Sequence, residues 1–184
     1  MSHVKDVTFH LLTHEDAVEL LQFERAERAW FEQHIEARPE CFYTLQGVAK
    51  HIIDCLALNA QRKMHPLIIR QRGVIVGRAN LRNIADDHAW VGYRIAQGAG
   101  GRGVAQSALK HLLTEARCVY GVTQLEAVVA VDNAASQRVL AKGGFTAQKR
   151  LPGYSRVSGA PRDCWIFEYS PALSHGLAAN NTLY

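Results

Sequence analysis

The stretch GAGGRGVA, residues 98–105, places Gly98, Gly100, Gly101 and Gly103 between a strand-like segment, residues 88–95, and a helical pattern. At such a turn, unpaired backbone N–H groups and the positive end of the helix dipole favour a bound phosphate, and glycine lets the backbone approach it closely. Ala105, Ala108, Leu109, Leu112, Leu113 and Ala116 recur at helical spacing and predict one amphipathic helix over about residues 101–118. A strand over residues 125–131 follows, and strand, crossover helix and strand together imply a right-handed βαβ unit with parallel strands.

The glycines alone leave three readings open. GAGGRG also satisfies G-x-G-x-x-G, the dinucleotide fingerprint, with Asp132 as the ribose-binding acid of a nicotinamide or flavin oxidoreductase. That fold opens its domain with the fingerprint and needs several further βαβ units, and only one clear unit follows here. A plain strand-to-helix loop without ligand is the third reading.

Working outward, residues 7–12 alternate like a half-buried strand, and Thr13 with Asp16 reads as a helix N-cap and first-turn acid, so a helix starts near His14. It is expected to run through Ala17, Leu20, Leu21 and Ala26 toward Trp30 and Ile35. Arg38-Pro39 separates it from a second helix that places Val48, Ile52, Cys55 and Leu56 on one face. Residues 67–70, 74–81 and 88–95 read as strands of an antiparallel meander, with 71–73 as a tight turn and 83–87 as a loop. Ala134 to Lys142 fits a last helix stopped by Gly143-Gly144, residues 164–169 a closing strand, and residues 171–184 an aperiodic, loose tail after a domain of residues 1–170.

With 184 residues, about half of them apolar, the chain suits one α/β core and not two. A net charge of +4 with interspersed signs is compatible with anionic ligands and lacks the basic run expected of a nucleic-acid partner. Cys41, Cys55, Cys118 and Cys164 are far apart, no apolar run approaches the ~18 residues of a membrane span, and the amino terminus lacks a secretory pattern. These features predict reduced thiols and a cytoplasmic, soluble protein, monomeric or homodimeric, without a membrane partner. The nine histidines lack ligand spacing, so no metal is expected.

Further signals coincide in order. The window Gly100-Gly101-Arg102-Gly103-Val104-Ala105 is followed by Asn133-Ala134-Ala135-Ser136 and by Val139 to Gly144-Phe145. It is preceded by Val74 to Gly77, Leu81 and Gly92-Tyr93-Arg94-Ile95, and Arg162-Asp163 comes late in the chain. This pattern resembles the GNAT superfamily of N-acetyltransferases, and within it the branch of ribosomal-protein alanine acetyltransferases. The family's first loop position usually carries Arg or Gln, where this chain has Gly100. Gln97 replaces a frequent proline, and Gln148-Lys149 a Glu-Gly pair. The resemblance implies a single-domain fold with a mixed, mostly antiparallel twisted sheet, flanking helices, and a central parallel pair splayed around the cofactor.

It also implies acetyl-CoA as cosubstrate and direct attack by an amine on the thioester. Tyr93, Arg94 and Ile95 would border pantetheine; Gly100, Gly101, Arg102, Gly103, Val104 and Ala105 would meet the pyrophosphate, Arg102 adding a charge-assisted contact. Asn133 suits both the N-cap of the last helix and a contact to pantetheine. Ser136 could donate to the sulfur and stabilise the departing thiolate, or be a serine tolerated at a helix start. No spacing singles out a base; Glu126 is a candidate beside its reading as a solvent-facing strand residue, and Tyr154 is a candidate acid. A missing strong base favours an α-amine, pKa about 8, over a lysine amine near 10.4. The expected acceptor is thus a protein N-terminus, with a small amine such as a polyamine or amine antibiotic as the alternative, and a non-catalytic CoA-binding module as another.

Overall fold

The computed structural model describes residues 6–169; the expected tail over 171–184 lies outside them. Seven strands form one mixed sheet in the order β1-β2-β3-β4-β5-β7-β6. In chain order the elements are β1 (Val7–Leu11), α1 (Ala17–Ala26), α2 (Arg28–Phe31), α3 (Leu45–Ala60), β2 (Met64–Gln71), β3 (Val74–Ala85), β4 (His88–Ile95), α4 (Val104–Glu115), β5 (Gln124–Ala130), α5 (Ala134–Lys142), β6 (Thr146–Val157) and β7 (Ala160–Tyr169). Every neighbouring pair is antiparallel except β4 and β5. The dinucleotide reading of the glycines is thereby removed, because a doubly wound sheet needs several parallel pairs.

Two apolar clusters cover the two faces. Ala108, Leu109 and Leu112 of α4, with Leu140 of α5 and Phe145, pack on Ala79, Leu81, Val91, Leu125 and Ala127. Leu20 and Phe23 of α1, Phe31 of α2, and Val48, Ile52 and Cys55 of α3 pack on Ile68 and Ile75. Each fully buried Leu or Ile contributes about 1.5–3 kcal/mol. The expected α3 face is therefore the one that is buried, with Leu56 at its margin.

Several expectations need correction. The first helix does not run on to Ile35: it breaks at Glu27, whose carboxylate accepts the backbone N–H of Gln97 (2.9 Å), and the short α2 ends at Phe31. Residues 83–85 extend β3, and the turn to β4 is confined to Asp86 and Asp87. The crossover helix begins at Val104, since Gly101 (φ 69°) and Gly103 (φ 81°) are left-handed and cannot be helical. It loosens into a wide turn over Ala116–Tyr120 before left-handed Gly121. The strand β6 has no counterpart in the sequence reading: it is an edge strand, exposed along most of its length, with Pro152 and Gly153 inside it, so it carries no apolar alternation.

One polar cluster lies inside the α1–α3 face. Glu24 of α1, 1% exposed, binds Arg78 of β3 (2.9 Å) and Arg94 of β4 (3.1 Å). Burial opposes its ionisation, but the charges of Arg94, Arg78 and Arg38 prevail and hold its carboxyl below the ordinary range. Removing one partner of such a group leaves buried charge uncompensated, so Glu24→Ala is expected to cost about 3–5 kcal/mol. Urea unfolding of the variant, with Leu20→Ala as an apolar reference, measures it.

Candidate active-site cleft

The strands β4 and β5 pair only at His88–Gln124, Ala89–Leu125 and Trp90–Glu126. Beyond Trp90, β4 stays in register with β3 as far as Ile95–Gly77, and β5 with β7 as far as Ala130–Cys164, so the two strands separate. The N–H of Ala96 donates to Val76 O (2.8 Å), which by strand alternation aims the backbone of Tyr93 and Ile95 into the gap. The N–H of Val131 donates to Asp163 O (3.0 Å), so Val128 and Ala130 face the gap from the other side. Ala130 O is satisfied by Asn133 N–H (3.0 Å) and Gln137 Nε2 (3.2 Å), and Ile95 O accepts the Trp30 indole N–H (3.0 Å).

Two cavities open from this gap, sharing Ile35, Tyr93 and Arg94 on their walls. The first, about 500 Å³, is bounded by Trp30 and Phe31, the α4 turn and α5. Gly100, Gly101, Gly103, Val104 and Ala105 line it together with Asn133; Arg102 is exposed on the same turn but does not line it. No side chain caps α4, whose first backbone hydrogen bond runs from Ser107 N–H to Gly103 O (3.0 Å). The N–H groups of Val104, Ala105 and Gln106 therefore precede the helical ladder and are free for an anion. Arg138 and Lys142 of α5 line the same cavity and bring positive charge opposite the turn. Neither is marked by spacing in the sequence, although both are one helical turn apart on α5 and follow Asn133.

Asn133 Oδ1 accepts the N–H of Ser136 (3.0 Å) and so caps α5. The cap holds the Ser136 hydroxyl 3.0 Å from the Tyr93 phenol, where the cavities meet. Burial pushes the Tyr93 phenol up to about 12, so it remains a proton donor at neutral pH. Arg94 lies on the wall of both cavities, and its guanidinium binds Glu24 and lies over the Phe31 ring (5.2 Å). Glu126 is outside the cleft. It sits where β4 and β5 still pair, and its carboxylate accepts His88 Nε2 (2.8 Å). Tyr154 is exposed on β6 and lines neither cavity.

The second cavity, about 440 Å³, is bounded by Arg38, His51, Arg78, Asn80, Arg82, Gly92 and Ser136. His51 Nε2 lies 2.8 Å from Arg78 Nη2 and accepts from it. Burial, then the charges of Arg78 and Arg38, push the His51 imidazole down to about 3, so it is neutral and cannot take a proton near neutral pH.

Residues 6–146 match the family model described as acetyltransferase (GNAT) domain. In sequence the chain is 28% identical over 153 residues to the probable N-acetyltransferase YjcK of Bacillus subtilis, covering 80% of this chain and 84% of that protein. Ribosomal-protein-S5-alanine acetyltransferase from Vibrio fischeri has the same fold, with a TM-score of 0.86 at 18% identity over 91% of this chain and 94% of that one. Mycobacterium smegmatis RimJ, solved in complex with CoA-disulfide, gives 0.82 at 24% identity over 88% and 80%.

His51 and, by the same burial effect, His65 have imidazoles depressed in the folded state. Between the folded and unfolded values the unfolded chain binds more protons, so their contribution is complete above about pH 6.5 and declines as the pH falls from there. The urea midpoint is expected to drop between pH 7.5 and 5, and His51→Gln to flatten that dependence.

Proposed function

From the premise that this chain belongs to the GNAT acetyltransferases, which transfer acetyl from acetyl-CoA, we propose that it acetylates a protein N-terminal α-amine in a ternary complex within the splayed cleft. The meeting of the two cavities at the hydrogen-bonded Tyr93–Ser136 pair carries this reading, since it offers separate entries for two substrates and a donor where they join.

The first cavity suits the cosubstrate. The free N–H groups of Val104, Ala105 and Gln106 hold the pyrophosphate, with Arg138 and Lys142 supplying the charge that Gly100 does not. The open backbone groups of Tyr93 and Val128 pair with the amides of pantetheine, and Asn133 serves chiefly to fix α5. The amine nitrogen forms a bond to the thioester carbonyl carbon, the C–S bond breaks, and the proton lost from nitrogen ends on the released thiol. Within the bonded pair one hydroxyl donates to the other, and the second donates to sulfur as negative charge develops there; the phenol, held near 12, sits well above a thiol at about 8.5 and keeps its proton.

An α-amine is favoured over a lysine because the buried titratable groups beside the second cavity are poor bases, which leaves only the exposed Glu36 and, in the first cavity, His34 among the described residues. Glu24 is ionised and held by two arginines, and His51 is a neutral ring whose Nε2 lone pair already accepts from Arg78. An α-amine with pKa about 8 is about one-tenth deprotonated at pH 7 without help, a lysine amine less than about a thousandth. A polyamine fits less well, because the second cavity is lined by arginines. This reading implies a cytoplasmic protein, since acetyl-CoA and nascent chains meet there.

Ser136→Ala and Tyr93→Phe are each expected to lower kcat by roughly 10²-fold with little change in the KM for acetyl-CoA. Because the two hydroxyls act as one bonded unit, the double variant should lose little more than either single one. Steady-state kinetics on an N-terminal peptide measures this, and unchanged kcat in both single variants would remove the pair from the mechanism.

A further inference from the structure

The second cavity carries an imbalance that the transfer reaction itself does not require. Arg38, Arg78, Arg82 and Arg94 line it against a single carboxylate, the exposed Glu36. Glu24 behind the wall neutralises part of the Arg78–Arg94 pair. Arg38 and Arg82 form no ion pair among the described residues. The Arg38 guanidinium lies 4.0 Å from the Phe42 ring centroid, its Nε is buried without a hydrogen-bond partner, and burial with the charge of Arg94 lowers its pKa to about 10. A buried donor left unpaired costs about 1–3 kcal/mol, and such groups in native proteins ordinarily answer to a ligand or a water.

An unpaired acceptor lies in the same wall. Asn80 Oδ1 is buried with no donor. It faces the open side of Gly92, where an added Cβ would be 3.1 Å from it and 3.7 Å from Arg82 Nη2. The missing side chain at Gly92 thus leaves room where Asn80 and Arg82 converge, next to Tyr93.

We propose that the acceptor amine carries a carboxylate a few bonds away, held by Arg38 and Arg82, while Asn80 Oδ1 accepts an N–H from the acceptor. Within the N-terminal reading on which this rests, the substrate is a polypeptide whose first residue is acidic; a free acidic amino acid shares the chemistry. The planar guanidinium of Arg38, pre-set by Phe42, suits two-point binding of a carboxylate. An amine with added positive charge meets four arginines instead.

The test is acetyl transfer, followed by thiol release, to two peptides that differ only in an N-terminal Asp or Asn, to free aspartate, and to spermidine. The Asp peptide is expected to exceed the Asn peptide by at least about tenfold in kcat/KM, mainly through KM. Arg38→Gln and Arg82→Gln should each erase most of that preference while leaving the thermal shift produced by CoA unchanged. Arg82 is exposed, so its variant keeps the test valid if Arg38→Gln folds poorly. Transfer to free aspartate but to no peptide would uphold the carboxylate-bearing acceptor and overturn the N-terminal reading. Equal or better use of the Asn peptide or spermidine would overturn the inference, and in the case of the Asn peptide leave the N-terminal reading standing.

Discussion

Everything distinctive in this fold depends on the early parting of its one parallel pair. Three residue pairs join β4 to β5, after which each strand remains bound to its outer antiparallel neighbour and follows that neighbour's twist. The cost of unpaired backbone is partly offset inside the protein, by the Trp30 indole on Ile95 and by Asn133 and Gln137 on Ala130. What remains open on Tyr93 and Val128 is a pair of short, wet strand edges facing one another, a natural seat for an extended ligand with amide groups of its own. The helices that follow each strand then aim their amino ends at the same gap: α4 with bare N–H groups behind left-handed glycines, and α5 with its N-cap on Asn133.

The two sides of the gap differ in electrostatic design. On the α4–α5 side the positive charge comes from helix ends and from exposed Arg138 and Lys142, which solvent screens and which can follow a flexible phosphate. On the α1–α3 side it comes from Arg38, Arg78 and Arg94, fixed by stacking and by Glu24 in surroundings dry enough to keep His51 neutral, and from the exposed Arg82. A site fixed in this way discriminates by position and not only by charge, which fits an acceptor chosen by a particular group near its amine. Tyr93 belongs to both sides, on the walls of both cavities.

Much of this was legible from residue order. The glycine turn, the crossover helix, the parallel pair and the Asn133–Ser136 helix start are local patterns, set by turn chemistry and 3.6-residue periodicity, and all four are present, the crossover helix starting three residues later than its pattern suggests. Two features were hidden for opposite reasons. The strand β6 is an exposed edge with a proline in it, so it lacks the alternation that betrays a strand. The cluster of Glu24, Arg38, Arg78 and Arg94 draws on α1, the loop before α3, β3 and β4, and no spacing in a sequence marks charges that meet only after the sheet forms. Glu126 illustrates the converse: a carboxylate on the right strand but at its last paired position, just short of where the cleft opens.

A crystal structure of the protein with CoA bound addresses the splayed cleft most directly. The pyrophosphate oxygens are expected within hydrogen-bond distance of the N–H groups of Val104, Ala105 and Gln106, pantetheine between β4 and β5, and the sulfur beside the Ser136 and Tyr93 hydroxyls. Phosphates bound away from the α4 turn, or a sulfur remote from that hydroxyl pair, would contradict the cleft as the site of transfer.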